Sequence, residues 1–545
     1  MSVHPFGSPD AATADLDLEQ QYQSFENIDG SLTGDWGAAI PRVVFGRKGS
    51  GKSHYLRALN AIKSGDHSVL AFGPSTDPPQ HDWVIKLSLA LEHSAIPGWN
   101  NLWQKSILAS AAVTLLYNDR RNDSSINELF LEQLEIATKL VLGVRELPNG
   151  PLTPFGAARH LLSHSGSLDR FYAILGRPQW QVLEDNLEPV LAGSPPLYFF
   201  LDNLDSVELF APRPWRACQR GLLDAVLSLA EDSRWKRIHV IVALKDTVVQ
   251  TLFDSVHGQK YIHSSMLHRL EWSTEQSLEF LRRKIDSLPA EWFTGPEVGS
   301  PAVRWLGRAS ITNEVRRCDE DIEAYLLRHT LLLPRDIVEM GNCLCDAITK
   351  ARARGRETLT DDEVRTAVNR AAEQIGKTGV YCAAIEVARR LMPSDAPLDG
   401  SGESYGLTGA PPDHDPDDDM TYAISEQYAQ LLTKVLAGVG RDRFGDESVR
   451  GIERSVRELL SQSTAPREAL GALWRLGMVG VVEGDLESGE AVFYGHSEHD
   501  GASLPTTSHG FAFHPSMIDY LGPENVAAIG KPVYPEPGFL SALGV

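Results

Sequence analysis

Pro41-Arg-Val-Val-Phe-Gly-Arg-Lys-Gly-Ser-Gly-Lys-Ser53 decides how the rest of this chain is read. Its first five residues, with Val43-Val-Phe45 apolar, read as a buried strand. The stretch Ser53–Lys63 that follows places Tyr55, Leu56, Leu59 and Ile62 at helical spacing. Between them, Gly46 to Ser53 matches G-x-x-x-x-G-K-[ST] in full. Glycines in such a turn let successive backbone N–H groups converge on phosphate oxygens, and the helix N-terminus adds a favourable partial charge. Gly46, Arg47, Lys48, Gly49, Ser50 and Gly51 are therefore expected to cradle phosphates. Lys52 would reach the β- and γ-phosphates, and the Ser53 hydroxyl would ligate Mg²⁺.

Working outward, the chain alternates short apolar strands with helices. Ser68–Phe72, Leu197–Leu201 and Ile238–Leu244 read as further strands, and Arg216–Ala230 as an amphipathic helix. That alternation predicts a parallel sheet covered on both faces, with a helical insertion over about 80–190. The strand Leu197-Tyr-Phe-Phe-Leu201 delivers Asp202 to the sheet edge where ligands bind in open α/β folds. Asp202 would hold Mg²⁺ through its water shell. Asp205, three residues on, either orients the attacking water or caps the next helix. Lys245-Asp246 closes the last strand, beside the glycine turn, as a phosphate-sensing pair or a loop salt bridge. In Leu331-Leu-Leu-Pro-Arg-Asp336, Arg335 opens a helix from which it either reaches a phosphate or faces solvent.

After Leu244 the strand signal fades, and residues 273–390 read as helical throughout, with an N-cap pattern at Thr360-Asp-Asp-Glu363. Asp395–Asp419 holds Pro, Gly, Ser and Asp without Lys or Arg, as an acidic linker does. Helices over Ser448–Gln462 and Pro466–Leu476, then strands Met478–Val482 and Ala491–Tyr494 around a Gly484–Gly489 turn, suggest a winged-helix-like α+β module. His514-Pro-Ser516 reads as a helix start. A lead-in helix is expected at Leu16–Phe25, and Trp83, Trp99 and Trp103 as helix-packing anchors. The predicted organisation is a lead-in (1–35), an NTPase core (36–272), a helical lid (273–392), a linker (393–420) and a C-terminal domain (421–545).

Composition limits the partners. With 51 Lys and Arg against 73 Asp and Glu, the net charge of −22 opposes general attraction to nucleic acid. The would-be wing adds Glu483, Asp485, Glu487 and Glu490 where phosphates would lie. A protein partner, self-association or a fold-completing role for the C-terminal module is preferred to duplex DNA. The five cysteines show no zinc-ligand spacing, and Cys343 and Cys345 read as buried thiols, which suits a reducing, cytoplasmic compartment. No apolar run is long enough to span a bilayer.

Taken in order, Gly46–Ser53, the D-x-x-D of Asp202 and Asp205, a strand ending in a polar pair and a lid opening with Leu333-Pro-Arg-Asp336 resemble the AAA+/STAND group of P-loop ATPases. Arg269-Leu-Glu-Trp272 and Phe511-Ala-Phe-His-Pro515 narrow the resemblance to initiator-like ATPases of bacterial conflict and anti-phage systems. It implies ATP and Mg²⁺ as cofactors, ATP bound between core and lid, and Arg335 as a sensor arginine. It also implies an arginine finger, for which Arg282 and Arg283 are candidates. The chain departs from the group in carrying Asn203 where a Glu usually follows the metal acid, and Lys245 where Arg or Asn is usual. Slow hydrolysis is one consequence. A binding module that holds nucleotide structurally is the alternative, and a small-molecule kinase a more distant one.

Overall fold

The computed structural model describes residues 4–9, 41–66, 68–73, 95–119, 128–163, 168–202, 212–253, 258–262, 264–313, 318–391, 429–440, 442–460, 468–486, 490–493, 504 and 510–522. The expected Leu16–Phe25 helix, Trp83, Asn203, Asp205, the 395–419 linker, Arg467 and the 487–489 part of the wing turn lie outside these residues. The chain divides into two compact units. One comprises Leu18–Lys48 and Lys52–Leu270; the other comprises Met1–Asp17, Gly49–Gly51 and Glu271–Val545.

The first unit is built on a five-stranded sheet of order β2-β3-β4-β1-β5. Its strands are β1 (Val43–Gly46), β2 (Leu70–Phe72), β3 (Leu197–Leu201), β4 (Ile238–Lys245) and β5 (Leu267–Arg269). Every pairing is parallel. All residues of β1 and β3 are buried, which is why the sequence shows apolar runs there rather than alternation. Helix α1 (Lys52–Ser64) follows β1. The insertion is helical where described, in α2 (Ala95–Asp119), α3 (Glu128–Leu142), α4 (Pro154–Ser163), α5 (Leu168–Leu175) and α6 (Gln179–Gly193). Helix α7 (Pro212–Glu231) leads into β4, and α8 (Asp246–Phe253) leaves it.

Helices α2 and α7 pack backbone to backbone. A Cβ placed on Gly221 would stand 2.4 Å from Trp99 Cβ and 2.9 Å from the Asn100 nitrogen. Trp99 and Trp103 are buried core anchors, as expected. Trp103 Nε1 donates to the Cys218 carbonyl at 3.0 Å, and burial pushes the Cys218 thiol up. Gly221→Ala should therefore cost about 2–3 kcal/mol, the upper range for overpacking a dense core. A urea midpoint equal to that of the parent would show that the two helices can part without penalty.

The second unit corrects the all-helical expectation for 273–390. A two-stranded antiparallel ribbon, β6 (Ser310–Asn313) with β7 (Cys318–Asp321), interrupts it. Cys-Asp-Glu-Asp is an unpromising strand by propensity, and pairing with Ser-Ile-Thr-Asn overrides that. Strand β5 is a second correction to the fading strand signal. The helices here are α9 (Thr274–Asp286), α10 (Pro301–Leu306), α11 (Ile322–Arg328), α12 (Pro334–Ala353) and α13 (Asp361–Leu391). The Thr360 cap pattern is realised. Glu363 N–H donates to Thr360 Oγ1 at 3.3 Å, and Thr360 N–H donates to the Glu363 carboxylate at 3.1 Å.

The C-terminal elements are helix α14 over 429–437, α15 (Asp446–Leu460), α16 (Glu468–Arg475) and α17 (Pro515–Leu521), with a four-stranded antiparallel sheet, and helix α13 packs on α16 and α17. That sheet has the order β10-β9-β11-β8, from β8 (Arg443–Phe444), β9 (Val479–Glu483), β10 (Glu490–Phe493) and β11 (Gly510–Phe513). The expected β9–β10 hairpin is present, while β8 and β11 are additions to the sequence reading. A Cβ on Gly376 would lie 2.2 Å from the Ser516 carbonyl, and one on Gly379 would lie 2.2 Å from Met478 Sδ. Two helix-interior glycines thus permit the close approach. The His514 side chain accepts from Ser516 N–H, with Pro515 opening α17, which is the helix start read from the sequence.

Candidate functional site

In the first unit, β1 ends at Gly46, the chain turns, and α1 begins at Lys52. Gly49 and Gly51 adopt φ of +94° and +96°. L-residues rarely take that region, so glycine is required at both corners of the turn. Lys52 Nζ donates to the Gly46 carbonyl at 3.0 Å and to the Arg47 carbonyl at 2.9 Å. The ammonium thereby lies against the loop it follows. The first turn of α1 holds no acidic residue that would offset its positive end. Ser53 is half-buried at the second position of α1, and Lys48 is exposed. Ser50 is fully buried, and its Oγ makes no hydrogen bond. An orphaned hydroxyl in a glycine turn at a helix start suits an incoming acceptor oxygen.

Asp202 directly follows β3 at the C-terminal edge of the sheet and is half-buried. β3 is not the immediate neighbour of β1, because β4 runs between them. Leu201, Val242 and Val43 share one register level across the three strands. Asp202 therefore emerges lower along the sheet than Gly46. At the upper level β4 brings Lys245 into register with Gly46, as the strand's expected position required. Asp246 starts α8, its carboxylate accepting from Thr247 N–H at 2.8 Å.

In the second unit, Gly49–Gly51 meets the start of α12. Arg335 N–H donates to the Gly49 carbonyl at 3.4 Å, and a Cβ on Gly49 would stand 3.3 Å from Arg335 Cβ. Trp272 Nε1 donates to the Ser50 carbonyl at 2.9 Å and packs edge-on to Phe280. The turn before α12 is strained: Leu332 holds φ +56° while buried. Three side chains hold that conformation. Leu331 N–H reaches Asp336 at 3.1 Å, Leu332 N–H reaches Thr330 Oγ1 at 3.2 Å, and Ser277 Oγ donates to the Leu332 carbonyl at 2.9 Å. Strain held this firmly fixes where Arg335 begins its helix. Nothing local in the sequence signals Thr330, Ser277 or Leu332, and Trp272 stood out only through resemblance.

The two arginine-finger candidates are both ion-paired within the chain. Arg282 donates through Nε and Nη2 to buried Glu323 at 2.7–3.2 Å, which holds its pKa up, and Arg283 pairs with Glu279 at 2.8 Å. Both guanidiniums already have a carboxylate within their own unit. Among the described residues, no helix is long and apolar enough to cross a membrane, and no group of three or more His, Cys, Asp or Glu could cage a metal. Mg²⁺ needs no such cage, since it keeps most of its waters.

No family model matches the chain, and no curated protein matches it. Among solved structures, the Aeropyrum pernix ORC2 protein in ADPNP–ADP complexes is similar at 14% identity, over 82% of this chain and 94% of that one, with a TM-score of 0.29. Its ADP form matches at 14% identity over 82% and 96%, with a TM-score of 0.27.

Proposed function

We infer that the chain is a Mg²⁺-dependent, ATP-binding and ATP-hydrolysing switch of the AAA+ type. The observation that carries this is the glycine turn with positive φ at Gly49 and Gly51, set between a buried parallel strand and a helix, with Lys52 folded against its carbonyls. The turn's N–H groups and the α1 N-terminus would hold the phosphates, and Lys52 would exchange its carbonyl partners for phosphate oxygens. Ser53 and Asp202 would hold Mg²⁺. Arg335, fixed at the Gly49 carbonyl, would add a second cation. When bound, Mg·ATP supplies the phosphoryl group and a dication that offsets developing charge. Phosphoryl transfer then needs positioning more than covalent chemistry, which matches this set of residues.

Asp205 is proposed to orient the attacking water. Asp205→Asn should leave ATP binding within about twofold while lowering phosphate release about 10²–10³-fold, a usual range for removing a general base. Equal phosphate release by the variant would return Asp205 to a helix cap. A role in a bacterial conflict system is the finer part of the proposal and rests on the sequence resemblance.

For the C-terminal module, protein contact or coupling within the chain is favoured over duplex reading. Residues 469–474 of α16 are all buried, with α13 packed against that helix. A recognition helix has to present its side chains to a groove, and residues 469–474 of α16 present none to solvent.

A further inference from the structure

Residues 4–9 belong by contact to the second unit, and they are docked rather than draped. Gly7 N–H donates to the His4 carbonyl at 2.9 Å, closing a turn in which Gly7 has φ +97°. The turn presents Phe6, which is 2% exposed. One wall of its pocket is Trp305, whose ring centroid lies 4.9 Å away. The other is α12 at Gly341, where a Cβ would fall 2.2 Å from the Phe6 ring. Only glycine there leaves room. Asn342 then clamps the backbone from both sides: it accepts from Phe6 N–H at 3.1 Å and donates to the Gly7 carbonyl at 2.9 Å.

From this anchor the chain runs back toward the start of α12. The three residues from Phe6 to Pro9 can reach at most about 10 Å, and the helical rise from Arg335 to Asn342 is also about 10 Å. The segment ends with the Pro9 carbonyl accepting from Arg335 Nε at 3.4 Å. Arg335 is thus held twice, by its backbone at Gly49 and by its guanidinium at Pro9. No described residue accepts from its two Nη groups. They form the fork that takes two oxygens of one phosphate.

We propose that Pro5–Pro9 is a positioning strap for the nucleotide site: Phe6 and Asn342 seat it so that Pro9 aims the Arg335 fork at phosphates bound on the glycine turn. This rests on the reading of Arg335 as a phosphate contact. The strap touches no substrate and works by restricting where one long side chain can point.

The test is a double-mutant cycle in the full chain, with affinity for a non-hydrolysable ATP analogue and steady-state turnover as readouts. Phe6→Ala should weaken analogue binding about tenfold, and Phe6→Leu, which refills the pocket, should restore most of it. In an Arg335→Ala background, Phe6→Ala should have no further effect. Asn342→Ala, which leaves the ring seated and frees only the strap's backbone, should behave in the same way, and it serves if Phe6→Ala fails to fold. Parent affinity in Asn342→Ala and in folded Phe6→Ala overturns the strap, as does a full additional loss on top of Arg335→Ala. If Lys52→Ala abolishes binding while Arg335→Ala alone changes nothing, the reading of Arg335 fails, and the strap's role falls with it.

Discussion

Lys52→Ala should abolish measurable nucleotide binding while leaving the fold in place. The side chain donates to the Gly46 and Arg47 carbonyls, among its partners, and two such hydrogen bonds contribute about 1 kcal/mol each to stability. A chain with a core this large survives that loss. Binding has no comparable reserve. The ammonium would be the cation closest to the terminal phosphates, and truncating one partner of a desolvated charge pair costs about 2–5 kcal/mol. At 1.4 kcal/mol per decade that is roughly 30- to 3,000-fold in affinity. Two measurements check it together: titration calorimetry with a non-hydrolysable ATP analogue, and the melting-temperature rise the analogue gives the parent, which should vanish in the variant. An unchanged affinity would sink the assignment of Gly46–Ser53 as the nucleotide cradle. A changed affinity with a collapsed melting curve would instead point to the loop carbonyls as the true role of Lys52.

What could be read from sequence follows from how local each signal is. Leu197–Leu201 has identical bounds in sequence and structure, because a strand buried on both faces must be apolar at every position. Gly46–Ser53 and the Pro334 helix start were legible for a similar reason: a required φ or a missing donor restricts residue type at once. β5 was not legible. Leu-His-Arg is three half-buried residues with no period, and only pairing with β1 makes it a strand. The Leu332 turn was hidden because Ser277, 55 residues away, helps to hold it. The seat of Phe6 depends on Asn342 at a separation of 336 residues. A glycine inside a helix is a weak spot by propensity, and packing shows Gly341, Gly376 and Gly379 each to be a point of close approach. Local chemistry placed the glycine turn, and long-range contacts place what surrounds it.

Asp202→Asn is the second decisive substitution, and its effect should appear in the metal dependence before it appears in turnover. The change keeps the side chain's shape, turns one acceptor oxygen into a donating amide and removes one charge. The strand that carries it, fully buried and bonded to β4 along its length, has no reason to move. Without Mg²⁺ the variant should therefore bind ATP as well as the parent, or slightly better, since a carboxylate facing phosphates is lost. With Mg²⁺ the parent should tighten, and the variant should not. Turnover should fall about 10²–10³-fold, because a metal's charge stabilisation is worth several kcal/mol at about 1.4 kcal/mol per decade. Asp202 emerges level with Ala243, two residues before Lys245, which lies beside Gly46. It is thus recessed by about 6–7 Å along the strands. Adding Mn²⁺, which accepts nitrogen and oxygen ligands more readily than Mg²⁺, should recover part of the lost turnover if the amide still reaches the metal's ligand shell. If Mg²⁺ tightens ATP equally in parent and variant, Asp202 is a structural acid at the end of β3, and the metal is held elsewhere.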